Sequence, residues 1–209
     1  MVNGTLQDER RRLARLAMDM SERHGRAITF ADLAAGAQIS RAKLQEIFPD
    51  EGDLYDAVAE EWFAPLVAMM DEVMGSGLPV RRKMYEFFAR RFVILRDQFR
   101  EDPAAFKLYA ELGDLHFERA RSFIDLADHY LCELIAEAQA EGYLAGLGIN
   151  DALSLINQMV TCYVLPVVII TFEPRLTEAK LARIIDTIFD GLSAEDRGAA
   201  GVSGLRPAD

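Results

Sequence analysis

At 209 residues, with 51 % hydrophobic and 27 % charged side chains, the chain is excluded from the disordered and low-complexity classes and can bury a sizeable core. The net charge of −11 is unevenly divided: residues 1–50 hold eight Lys/Arg against seven Asp/Glu, and the remainder fifteen against twenty-seven. Cys132 and Cys162 lie thirty residues apart without a CxxC, which reads as buried thiols in a reducing compartment rather than a disulfide framework or zinc site. The heavily charged first thirty residues argue against a signal peptide, so a cytoplasmic location is expected.

Leu13, Leu16, Ala17 and Met20 recur at i, i+3, i+4 and i+7, which predicts an amphipathic helix over residues 6–24, with Gly25 as its C-terminal cap. Arg10, Arg11, Arg12 and Arg15 flank the stripe, either as a solvated face or as phosphate contacts. In the stretch TFADLAAGAQISRAKLQEIF, residues 29–48, Thr29 with Asp32 is a capping-box candidate. Leu33, Ala34 and Ala37 give the inner face of a short helix. Ser40 is a second cap, and Arg41 to Phe48 form a second short helix that Pro49 closes. Two short helices across a tight turn, the second with Arg and Lys at its start, describe a helix-turn-helix. Its second helix suits the major groove.

Asp50 with Asp53 caps a long helix through Leu54, Val58, Trp62, Leu66 and Met70, in which Pro65 marks either a kink or a boundary between two helices. Residues 80–100 bury Met84, Phe87, Phe88, Phe92, Leu95 and Phe99 at helical spacing. A short helix from Asp102-Pro103 is expected to stop at Gly113, and a longer one capped by Asp114 to run to Gly142. After the Gly-rich loop 142–148, Asn150 caps the next helix. Residues 152–172 are twenty-one in a row without a charge, long enough for a bilayer. Ser154, Asn157, Gln158 and Thr161, the Pro166 break and the thin Lys/Arg flanks argue instead for burial in a core or an oligomer interface, with no membrane span. A last helix from Thr177 shows Leu181, Ile184, Ile185, Ile188 and Leu192. Residues 193–209 read as a disordered tail.

Chemistry-bearing clusters are scarce. Asp125, His129 and Cys132 share one helix face, but without HExxH spacing or a second cluster no metal site is expected. No GxSxG, P-loop or GxGxxG appears and no nucleophile is paired with a base, so neither catalysis nor a cofactor is expected.

The 29–55 stretch, with a helix before it and a long helix after, resembles the DNA-binding domain of TetR-type transcriptional regulators. Thr29, Leu33, Ala34, Ala37, Ile39, Ser40, Leu44, Phe48 and Leu54 carry the resemblance. The sequence departs from the family pattern at Gln38 and Ala42, where Gly is usual or common, at Gln45, where Tyr is common, and at Glu51, where a phosphate-gripping Lys is usual. The resemblance implies an all-α fold of about nine helices. A three-helix helix-turn-helix domain spans residues 1–50, and a helical effector-binding and dimerisation domain spans residues 51–192. It implies a homodimer through the last two helices and a double-stranded DNA operator contacted by Thr29, Ser40, Arg41, Ala42, Lys43 and Gln45. It also implies a repressor released by a small apolar or aromatic effector, held among Phe88, Phe92, Phe106, Tyr109, His116, Phe123, Tyr130, Met159 and Tyr163. The alternative is a module of the same fold, with weakened or lost DNA binding, that acts through a ligand or a protein.

Overall fold

The computed structural model describes residues 2–115 and 117–195. Among them the chain is all-helical: α1 (Val2–His24), α2 (Phe30–Ala37), α3 (Arg41–Ile47), α4 (Glu51–Met74), α5 (Val80–Glu101), α6 (Pro103–Leu115), α7 (Phe117–Ala140), α8 (Ile149–Val164), α9 (Pro166–Phe172) and α10 (Glu178–Gly191), with a 3-10 turn at Glu173–Arg175.

Side-chain caps start five of the ten helices. Thr29 and Asp32 form a reciprocal capping box, and the Ser40 hydroxyl accepts from the Lys43 N–H. Asp50 accepts from the Asp53 N–H, Asp102 from the Ala104 and Ala105 N–H groups, and Thr177 from the Lys180 N–H. Among the described residues ten helices stand where about nine are expected, because Pro166 splits the long apolar segment. The two parts, Ile149–Val164 and Pro166–Arg175, are bent by 56°. Pro65 lies inside the single helix α4 and ends nothing. Gly113 does not stop α6, which runs on to Leu115, and α8 begins one residue before Asn150 with Gly148 as its cap. Among the described residues no single helix is long and apolar enough to cross a membrane.

Two hydrophobic clusters divide the interior. The first joins Leu13, Ala14 and Ala17 of α1 to Phe30 and Leu33 of α2, Leu44, Ile47 and Phe48 at α3, and Leu54 and Ala57 from the start of α4. α1 and α2 approach closely at Gly36, where an added Cβ would sit 2.6 Å from the Met20 sulfur. The second and larger cluster packs the rest of α4 with α5, α7, α8 and α10 around Met70, Phe87, Phe88, Phe92, Leu134, Ile156 and Ile188. α4 therefore belongs to both clusters and is the rod between them.

Candidate functional site

The turn between α2 and α3 is built on Gln38, whose backbone adopts φ +56°, the left-handed conformation that suits glycine. Its N–H closes α2 onto the Ala34 and Ala35 carbonyls, and the Ile39 N–H bonds Ala34 O at 3.1 Å. α3 is thereby laid with Leu44 and Ile47 buried in the cluster that α1, α2 and the start of α4 share. Ser40, Arg41, Ala42, Lys43 and Gln45 are all exposed, as is Thr29 at the start of α2.

Most cations of this end are engaged internally. Arg10 donates to the Ile47 carbonyl at 2.7 Å and to Asp53 at 3.1 Å, and its guanidinium lies 4.8 Å from the Phe48 ring centroid. It ties α1 to α3 and α4. Arg11 and Arg15 share Glu61, Arg12 pairs with Glu9, and Lys43 with Glu46 at 2.8 Å. Arg26 forks onto Asp32, and its guanidinium, followed by Thr29, holds that carboxyl well below the usual carboxylate range. Among the described residues Arg41 makes no ion pair or side-chain hydrogen bond. The start of α2 is already occupied by anions: Glu51 accepts from the Phe30 N–H at 3.1 Å, and Asp32 accepts from both the N–H and the hydroxyl of Thr29. A helix N-terminus attracts phosphate through such N–H groups, and here two carboxylates hold them.

The second candidate site is an open cavity of about 300 Å³ at the meeting of α4, α5, α6, α7 and the α8–α9 bend. Trp62, Phe63, Tyr109, Phe123, Ile124 and the run Val164–Val167 line it, with Arg91, Ala110 and Gly113. Its aromatic wall is continuous. Trp62 meets Phe63 edge-on at 4.8 Å, Phe63 stacks on Phe123 at 4.1 Å, and Trp62 lies 6.1 Å from Tyr109. A second cleft of about 420 Å³ adjoins it, where Trp62 and Tyr109 face Met18 and Glu22 of α1. Burial, then the nearby Glu22 carboxylate, raises the Tyr109 hydroxyl above its ordinary value, and burial raises Glu22 as well.

Of the residues expected to touch an effector, Tyr109 and Phe123 line the cavity, and Phe106 lines the adjoining cleft beside Tyr109. Phe88 and Phe92 are fully buried core, and Tyr163 packs edge-on against Phe92 at 5.1 Å. Tyr130 donates its hydroxyl to Asp71, and Met159 is 37 % exposed on the outer face of α8; neither is part of this lining. His116 lies outside the described residues, and the two cysteines are not buried as expected: Cys132 is half-buried and Cys162 is exposed. His129 meets Glu133 at 3.4 Å, and among the described residues no group of three or more His, Cys, Asp or Glu side chains is placed to hold a metal ion.

Periodicity alone missed Trp62, Phe63, Arg91 and the Pro166 corner. Two signals were present: the only tryptophan stands beside a phenylalanine on α4, and Arg91 sits three and four residues beyond Phe88 and Phe87, on the core stripe of α5.

Residues 80–185 match the sequence family described as "Tetracyclin repressor-like, C-terminal domain". None of the curated protein sequences matches the chain at a significant level. Among solved structures, similarity extends to a protein from Mesorhizobium loti assigned to the TetR family, with TM-score 0.61, 14 % identity, and coverage of 88 % of this chain and 95 % of that one. The fatty acid degradation regulator FadR from Bacillus halodurans gives TM-score 0.59, 16 % identity, and 86 % and 97 % coverage. The ketosteroid transcriptional regulator KstR2 of Mycobacterium tuberculosis gives TM-score 0.53, 18 % identity, and 87 % and 95 % coverage. At these identities the likeness is one of fold.

Proposed function

The chain belongs to the tetracyclin repressor-like, or TetR, family of transcriptional regulators, and from that premise we propose that it is a ligand-responsive repressor working as a cytoplasmic homodimer on a palindromic DNA operator. Residues 1–50 form the reading head and residues 51–192 the sensing and dimerising body. Arg41 leads α3 into the major groove, with Lys43 and Gln45 behind it and Thr29, Ser40 and Ala42 on the same surface. The effector is a small apolar or aromatic molecule in the cavity under the Pro166 corner, with Tyr109 and Phe123 in contact with it. The protein has no catalytic role.

One observation carries the reading. Trp62 and Tyr109 line the cavity and also the cleft that holds Met18 and Glu22 of α1. A ligand that prefers one placement of these two rings also prefers one placement of the head. Its leverage on DNA equals its differential affinity for the two states. The dimer is drawn through the last helices of the body, where Leu155, Met159, Leu165 and Val167 expose apolar side chains along α8 and α9 that a second copy would cover.

A second reading, the same fold with weakened DNA binding, is favoured by the carboxylates of Glu51 and Asp32 at the start of α2. One experiment separates the two. Fluorescence polarisation with DNA from the promoter beside the protein's own gene is measured for wild type and Glu51→Lys at two salt concentrations. The first reading predicts a sequence-specific wild-type complex. Glu51→Lys frees the Phe30 N–H and turns an anion into a cation, so it should bind roughly tenfold more tightly at low salt, with a steeper salt dependence. Unchanged affinity would remove this account of Glu51. A folded wild-type dimer with no specific complex would leave the second reading standing.

A further inference from the structure

Arg91 is a cation among hydrocarbon. It lies on the inner stripe of α5 between Phe88 and Leu95, and its guanidinium sits 5.2 Å from the Phe123 ring centroid on the cavity wall. Nη2 donates to the Val164 carbonyl at 3.4 Å, a long bond, and the buried Nε finds no acceptor. Asp128 on α7 exerts a favourable charge effect on Arg91 but makes no ion pair with it, and its carboxylate accepts instead from the Asn157 amide at 3.0 Å. Burial pushes the guanidinium down to about 10, so it stays charged at neutral pH. A buried charged donor without an acceptor is costly, and such groups are ordinarily matched by a partner. Arg91 is part of the cavity lining, so an acceptor placed in the cavity would add to the contacts of its guanidinium, and the remaining lining is aromatic and aliphatic.

We propose that the cavity binds an amphipathic anion, an oxyacid head group on an aromatic or aliphatic body, with Arg91 as the partner of the head group. The inference rests on the effector reading of this cavity and sharpens it from apolar to anionic. Trp62, Phe63 and Phe123 hold the body of the ligand, and the Arg91 fork takes its oxygens, replacing missing contacts rather than displacing an ion pair.

Two dyes with one aromatic body test the assignment: anilinonaphthalenesulfonate, which carries a permanent anion, and neutral N-phenylnaphthylamine. Each is titrated by fluorescence into the full-length wild type, Arg91→Met and Gly113→Leu, with folding checked by circular dichroism. A Cβ at Gly113 meets no heavy atom within 4 Å, so a larger side chain starts in open space at a residue of the cavity lining. Arg91→Met should weaken the anionic dye by about tenfold or more and leave the neutral dye within about twofold, while Gly113→Leu should weaken both. If Arg91→Met fails to fold, Arg91→Gln is read by the same ratio. Equal effects of the Arg91 variant on both dyes, or none, with Gly113→Leu still blocking both, would overturn the anionic assignment and leave the cavity reading intact. Dye binding untouched by Gly113→Leu, or absent, would overturn both.

Discussion

Arg41→Ala is expected to weaken binding to the protein's own promoter DNA by about 1–3 kcal/mol, roughly five- to 150-fold. The magnitude follows from its place as the first residue of α3, exposed and without an ion pair among the described residues. Its rigid fork can engage guanine O6 and N7 without first leaving a partner. Lys43 must release Glu46 before it reaches DNA, so Lys43→Ala should cost less. Polarisation at one fixed salt concentration, on samples of equal folded fraction, measures both losses. Equal small losses for the two variants would place the reading surface elsewhere.

Phe48→Ala is expected to destabilise the head by about 3–5 kcal/mol, the range for removing a fully buried aromatic ring. Phe48 is 0 % exposed, closes α3, and carries the Arg10 guanidinium over its face. Its contacts lie in the head cluster, while Trp62, Phe63, Phe123, Ile124 and Val164 of the cavity wall pack in or against the other cluster. The variant should therefore lose promoter binding and show an early transition in urea, followed by circular dichroism, yet still bind a dye in the cavity. A loss below about 1 kcal/mol, or simultaneous loss of dye binding, would show that the two clusters do not behave as separate stabilising units.

What was legible in the sequence was local. Thr29, Ser40, Asp50 and Thr177 act through N–H groups three residues away, so their caps could be placed without knowledge of the fold. Gly113 shows where local reading failed. One glycine costs a helix only about 1 kcal/mol, and burial of Tyr109 and Ala110 on the same helix outweighs it. The arginines of α1 divide for a different reason. Their partners Glu61, Asp53 and the Ile47 carbonyl are more than thirty residues away, so a surface that reads as basic is largely neutralised in the fold. In the cavity, aromatic residues on helical stripes were mostly core, as Phe88 and Phe92 show. The wall came from Trp62 and Phe63 and from the Pro166 corner, whose nearness to α6 is a property of tertiary packing.

Spin labels at Gln45→Cys, in a background with Cys132 and Cys162 replaced by serine, report the distance between the two reading helices of a dimer by pulsed electron spectroscopy. With promoter DNA bound, the separation should centre near one helical turn of the duplex, about 34–36 Å, or a multiple of it, and bound cavity ligand should shift it. A folded dimer whose labels keep a separation that matches no whole number of turns, with and without DNA, would contradict the view that one duplex engages both heads.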